Sequence, residues 1–280
     1  MRGPRCYGGL MIELLDVSVM YRGAERLALD RVTLTIGPGE HVALLGENGS
    51  GKSTLARLCN ALILPTGGSV RVDGIDTRDA AALWDVRSKV GFVQQNPENQ
   101  IVGTIAEEDV AFGPENLGVP TEELRRRVDE ALDAVGLQGM QRREPHLLSE
   151  GQKQRLAIAG ALAMRPDYLV LDEPTAMLDS VGRADVLGVL KRLRTEGVGI
   201  LHITHDLAGV ADADRAVVLS EGRVVFDGPP AGLLADPDRA GALGVGVPPI
   251  ALFAAALREG GANVPAGALD AVTIVEALWR

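Results

Sequence analysis

Nine residues, Gly46-Glu47-Asn48-Gly49-Ser50-Gly51-Lys52-Ser53-Thr54, follow directly on the apolar run His41-Val42-Ala43-Leu44-Leu45. Glycines at 46, 49 and 51 let backbone N–H groups turn to one side of the loop, and Lys52 sets an ammonium beside them. A helix opening here aims its positive dipole end at the same point. Such a loop cradles the phosphates of a nucleotide, with Lys52 reaching the β- and γ-phosphates and the Ser53 hydroxyl ligating Mg²⁺. A second reactive pair stands far downstream, in Tyr168-Leu169-Val170-Leu171-Asp172-Glu173-Pro174. A buried strand ending in two carboxylates offers Asp172 to hold Mg²⁺ through water and Glu173 to polarise an attacking water. The chemistry expected is nucleotide binding with Mg²⁺ and activation of a water beside the phosphates, chemistry that kinases, GTPases, motors, helicases and transport ATPases all draw from this loop.

These groups need a scaffold. With 280 residues, 46% of them hydrophobic and 24% charged, the chain is long enough for one large domain plus a small appendage. Strands are expected over residues 13–19, 32–36 and 41–45, in "SVRVDG", over 90–93, in "YLVLDEP" and in "VGILHITH". "RAVVLSEGRVVFDG" reads as a hairpin. Helices are expected over 53–63, 149–164 and 180–195. A further helix begins at a Thr121 cap, closes at Gly136 and buries Leu124, Val128, Ala131, Leu132 and Val135. Strands alternating with helices imply an α/β fold with a parallel-sheet core, and the flanking hairpins add antiparallel β pieces. "QQNPENQIVG" is polar and expected as loop. Residues 1–10 lack periodicity and precede a second methionine, Met11, so a disordered extension is expected there. After Gly228 the composition turns rich in Pro, Gly and Ala, which reads as a helical appendage over 228–280.

A net charge of −10, from 28 Lys+Arg against 38 Asp+Glu, argues against nucleic acid as a partner and against electrostatic attachment to anionic lipid. The best apolar run, 242–257, is short and contains Pro248 and Pro249, so no membrane span is expected. Two cysteines, Cys6 and Cys59, make no disulfide framework.

Residues 147–162, "LLSEGQKQRLAIAGAL", resemble the signature of ATP-binding-cassette (ABC) ATPases, usually Leu-Ser-Gly-Gly-Gln, with Glu150 in place of the first glycine. "AMLD" (176–179) resembles the family's D-loop and "ITHD" (203–206) its switch-histidine motif. Tyr21 stands where an aromatic stacks on adenine, and Gln95, next to Gln94, where the Q-loop glutamine lies. The resemblance covers nearly the whole chain from Met11 and implies a P-loop NTPase core over 11–227 with a helical signature subdomain near 96–164. It implies catalytic roles for Glu173, His205 and Gln95, with Gln95 joining Ser53 and Asp172 at Mg²⁺. It also implies that Ser149, Gly151 and Gln152, with Asp179, complete the nucleotide site of a second ATPase subunit, so a monomer would bind ATP but hydrolyse it poorly. Glu150 suits the first turn of a helix and is expected to point away from the phosphates.

Residues 96–120, "NPENQIVGTIAEEDVAFGPENLGVP", resemble energy-coupling factor transporter ATPases, and the C-terminal segment is similar to theirs. That likeness implies a second cassette (a copy or a paralogue), a transmembrane coupling protein, and a substrate-capture membrane component contacted indirectly. It places the chain peripherally on the cytoplasmic face of a membrane, driving uptake of a vitamin or metal ion. Acidic Glu98, Glu107, Glu108, Asp109 and Glu115 alternate with Ile101, Val102, Ile105, Val110 and Phe112, a pattern suited to docking a helix that carries arginines. The alternatives are another transporter's nucleotide-binding subunit or an ABC ATPase without a transport role. A chromosome-maintenance ATPase is disfavoured, because the roughly one hundred residues between loop and signature carry no sustained heptads. A two-cassette translation factor is disfavoured by the single phosphate loop.

Overall fold

The computed structural model describes residues 10–265, 268–269 and 271–279. Apart from Leu10, the extension expected over 1–10 lies outside them. Two sheets share the work of the fold. Strands β1 (Ile12–Val19) and β2 (Leu29–Ile36) pair antiparallel, and β3 (His41–Leu45) follows, buried along its whole length. Helix α1 (Lys52–Cys59) opens at the end of the glycine loop. Strands β4 (Gly67–Val72) and β5 (Ile75–Asp76) complete a four-stranded antiparallel sheet in the order β2-β1-β4-β5. Helix α2 (Leu83–Lys89) leads into β6 (Val90–Val93).

A helical layer comes next: α3 (Ala106–Asn116), α4 (Thr121–Ala134) and α5 (Glu150–Ala163). Their buried faces form one cluster with β7 (Tyr168–Asp172) and α6 (Ser180–Thr195). Strands β8 (Gly199–Ile203), β9 (Arg215–Ser220) and β10 (Arg223–Gly228) finish a six-stranded sheet ordered β10-β9-β3-β8-β7-β6. Within it β9, β3, β8, β7 and β6 run parallel, and β10 alone is antiparallel. Side chains of β3, β7 and β8 are buried on both faces, which explains their continuous apolar sequences. Four short helices close the chain: α7 (Ala231–Ala235), α8 (Pro237–Ala242), α9 (Pro249–Glu259) and α10 (Ala271–Leu278).

Two local expectations need correcting. Pro120, not Thr121, caps α4, and no side chain bonds to its first turn; the fixed proline φ supplies the extended entry instead. Helix α1 ends at Cys59, short of residue 63, because Ala61 adopts φ +53 and turns the chain aside. The expected buried face of α4 is observed in full: Leu124, Val128, Ala131, Leu132 and Val135 are all buried.

Candidate nucleotide site

In a parallel sheet the loops at the carboxyl ends of the strands converge, and ligands bind there. Here the glycine loop leaves β3, Gln95 follows β6, Asp172 and Glu173 close β7, and His205 follows β8. The loop is threaded tightly. A Cβ added at Gly46 (φ +134) would lie 2.1 Å from Leu219 O, and one at Gly51 (φ +106) would lie 2.5 Å from Ala28 O. Only glycine fits between these backbones. Lys52 is folded across the inside of the loop, its Nζ donating to Gly46 O at 2.8 Å and Glu47 O at 2.7 Å. Burial lowers its pKa, while the negative charges of Glu173, Asp172 and Glu47 pull the other way.

The loop opens on a cleft of about 320 Å³. Asn48, Gly49, Gly51, Lys52, Ser53 and Thr54 line it from the loop, and Gln95, Asp172 and Glu173 from the strand ends. Tyr21 and Ala28 form its lip, and the Tyr21 hydroxyl shares a 3.1 Å hydrogen bond with Thr54 Oγ1. Gln94 is occupied elsewhere: its N–H donates to Gln100 Oε1 at 3.0 Å, and its carbonyl accepts from Gln154 Nε2. Of the two adjacent glutamines, then, Gln95 is the one at the cleft. Ser53 hydroxyl, Gln95 amide and Asp172 carboxylate supply the hard oxygen donors that suit Mg²⁺, so the residues present fit that ion. Ser50 belongs to the loop but not to the cleft lining, and its buried Oγ has no hydrogen-bond partner.

Glu173 carries the local strain. Its φ of +52 is left-handed, a conformation costing an L-residue roughly 1–2 kcal/mol. Its N–H donates to Ile203 O at 3.0 Å, tying it to the end of β8. Its Oε2 lies 2.9 Å from His205 Nδ1, so the acid and the switch histidine are one unit. Asp206, next in the chain, pairs with Arg183 of α6 at 2.5 Å. Arg183 did not stand out in the sequence, where nothing marks it among other helix arginines.

Ser149, Gly151, Gln152 and Asp179 do not line this cleft. Ser149 heads α5 in a reciprocal capping box: its Oγ accepts from Gln152 N–H at 3.3 Å, and Gln152 Oε1 accepts from Ser149 N–H at 3.0 Å. Asp179 caps α6 through Gly182 N–H at 2.8 Å. The two helix starts meet closely, a Cβ on Gly151 falling 3.5 Å from Gly182 Cα. Glu150 Oε1 pairs with Lys153 Nζ at 3.0 Å, and Lys153 also binds Glu98 Oε1 at 2.5 Å.

Glu98 and Lys153 line a second, larger cavity of about 440 Å³, with Ile101, Thr104, Glu144 and His146. Val102 and Phe112 are exposed nearby in sequence. Asp109 does not belong to the acidic surface expected there. It is buried, and its Oδ1 accepts from Val102 N–H at 2.7 Å and Gly103 N–H at 2.9 Å, an anchor for the loop.

Known proteins match this arrangement. The ABC transporter family model covers residues 29–176. The energy-coupling factor transporter ATP-binding protein EcfA1 of Symbiobacterium thermophilum is 57% identical over 91% of this chain and 89% of its own length. The cobalt import ATP-binding protein CbiO of Syntrophus aciditrophicus is 47% identical over 93% of both chains. Among solved structures, cbiO1 from Clostridium perfringens, part of the ABC transporter complex cbiONQ, superposes with a TM-score of 0.75 at 34% identity, covering 86% of this chain and 97% of that one. A dimeric ATP-binding cassette in a post-hydrolysis state with ADP and Pi superposes at 0.70, also at 34% identity, covering 78% and 98%. The cleft at the strand ends, the signature helix and these likenesses agree, and the chain belongs to the ABC transporter ATPases, among the ATP-binding proteins of energy-coupling factor transporters.

Proposed function

We propose that this chain is the ATP-hydrolysing subunit of an energy-coupling factor importer, held peripherally on a membrane by a coupling protein and working as a pair of cassettes. Loop amides and Lys52 bind the triphosphate, and the Tyr21 ring, 41% exposed, offers a face to adenine. Ser53, Gln95 and Asp172 hold Mg²⁺, which, when bound, neutralises charge on the phosphate oxygens. Glu173 takes the proton of the attacking water, and His205 Nδ1 fixes the carboxylate that does so.

One observation carries the dimeric reading: a cleft that holds both carboxylates and the phosphate loop but none of the signature residues. Ser149 presents a capped helix start with its dipole end free, a fitting grip for a γ-phosphate held in another subunit's cleft. Among the described residues no helix is long and apolar enough to cross a membrane, and the attachment in this reading runs through a partner. The cavity beside Glu98 is the surface for that partner, acidic at its edge through Glu98 and Glu144, with exposed Val102 and Phe112 close by in sequence. Affinity purification of the tagged chain from membranes tests the reading. A second cassette and a multi-spanning protein should co-elute with it, and the eluate should hydrolyse ATP. A chain that elutes alone, and stays a monomer with a slowly cleaved ATP analogue, would refute it.

A further inference from the structure

The segment after α8 touches both halves of the catalytic machinery, although it lies outside the strand-end loops. Its backbone is stitched to the switch: Gly246 N–H donates to His205 O at 2.9 Å, and Leu207 N–H donates to Gly246 O at 3.3 Å. These bonds make a short parallel bridge between Asp206 and Gly246. Two residues earlier Gly244, at φ +73, lies against the phosphate loop, where an added Cβ would fall 1.9 Å from Glu47 Cγ. Leu243, Val245 and Val247 anchor the segment in a cluster shared with Ala43 and Leu45 of β3, and with Leu207 and Val210 beyond the switch. The same cluster includes Leu233 and Leu234 of α7, Ala240 of α8 and Ala251 of α9.

We propose that residues 243–247 form a positioning strap through which the C-terminal helices set His205 against Glu173 and hold Glu47 of the phosphate loop. The strap bonds directly to the switch from beyond β10. It fixes the peptide of the residue whose Nδ1 lies 2.9 Å from the Glu173 carboxylate, so a small displacement of the strap moves the imidazole along with its own carbonyl. Gly246 is needed at that point because a Cβ there would lie 2.7 Å from His205 O. Anything that shifts α7–α9 therefore acts on turnover without touching nucleotide. The inference rests on the catalytic reading of His205 given above.

The test compares steady-state ATP hydrolysis by the full chain carrying Gly246→Ala with that of Gly241→Ala, whose added Cβ meets nothing within 4 Å. Gly246→Ala is expected to lower kcat on the order of 10–100-fold, as misplacement of a catalytic group does, with KM for ATP nearly unchanged. Gly241→Ala should match the unaltered protein in both. Gly244→Ala is read separately, since it pushes on Glu47: its KM for ATP should rise, and adding Glu47→Ala should restore it in part, the strain of an alanine at φ +73 remaining. Active sites are counted by nucleotide-binding stoichiometry and kcat is expressed per active site: a merely structural strap would lower that count in all strap variants alike, with kcat per site and KM unchanged and no rescue, and that result overturns the proposal. Unchanged kcat in a folded Gly246→Ala overturns it as well. If Gly246→Ala does not fold, the Gly244→Ala pair decides, and absence of the rescue counts against the strap. Full turnover in His205→Ala would instead remove the catalytic reading of the histidine, an outcome distinct from failure of the strap.

Discussion

Replacing Glu173 with Gln removes one charge and almost no volume. The side chain is 9% exposed and its neighbours stay in place: the Ile203 carbonyl still receives the residue's N–H, and an amide still reaches His205 Nδ1. What is lost is the group proposed to accept a proton from water. A positioned base is worth on the order of 10²–10⁴ in rate, or about 3–5 kcal/mol of barrier. Binding should move the other way. The carboxylate stands in the cleft with Lys52 and repels an incoming polyphosphate, so the nucleotide dissociation constant should hold or fall. Glu173→Gln is thus expected to trap an ATP-bound dimer that turns over very slowly. Single-turnover cleavage of γ-labelled ATP measures the first effect, and light scattering with and without ATP measures the second. A kcat within about threefold of the unaltered protein would show that the proton goes elsewhere, and the strained φ of Glu173 would then need another explanation.

Other expectations follow from single contacts. Lys52→Ala leaves Gly46 O and Glu47 O without their donor and strips the cleft of its ammonium, so titration calorimetry should find nucleotide binding weakened by about tenfold or more; an unaltered constant refutes the cradle. Charge reversal of Glu107 and Glu108 to Lys should release the chain from its membrane partner and leave hydrolysis by the isolated protein intact, and continued co-purification would discard that docking surface. Stability should depend on pH through His202. Burial holds this imidazole neutral, with its pKa down to about 3, and neither ring nitrogen has a hydrogen-bond partner. The unfolded chain takes up that proton near pH 6.5, so the stabilisation is complete above that pH and is lost as pH falls toward 3. Unfolding free energies from urea titrations at pH 7 and pH 5 should differ by about 2 kcal/mol from this group, and His202→Leu should flatten the difference. An identical pH slope in the variant rules His202 out as its source.

The chemistry was legible because its motifs are short and their spacing is imposed by phosphate geometry. Gly46 and Gly51 sit where no side chain fits, and a loop under that constraint announces itself in any sequence. The central strands were legible for a related reason: burial on both faces leaves an unbroken apolar run, as in β3, β7 and β8. Polar side chains that serve the backbone were not legible. Asp109 looks like one more acid in a charged stretch, yet it is a buried anchor for two loop amides. Whether an aspartate faces water or a pair of N–H groups depends on where a distant loop returns, and local pattern carries no such information. The strap was hidden for the same reason, since Leu243-Gly244-Val245-Gly246-Val247 has no charge and no motif. Its meaning lies in two backbone hydrogen bonds to a strand end roughly forty residues away.

Glu150 shows how a departure from the usual signature is absorbed. A carboxylate at the start of α5 favours the helix dipole but would repel a phosphate brought to the same amides. Lys153, one turn along the helix, pairs with Glu150 at 3.0 Å and is itself shared with Glu98, so the acid's charge has a partner at the helix start. The carboxyls of Glu150 and Glu98 are half or more exposed, so the pairs add little to stability. Their value lies in geometry. Glu98 lines the cavity proposed for the membrane partner, and Lys153 connects it to α5, whose first turn is proposed to serve a neighbouring ATP. A partner helix that took over Glu98 would leave Lys153 paired with Glu150 alone, so the ion pair at the start of α5 is a contact that docking at the cavity would change. In that reading the residue that departs from the usual signature, Glu150, shares one lysine with the surface proposed for docking.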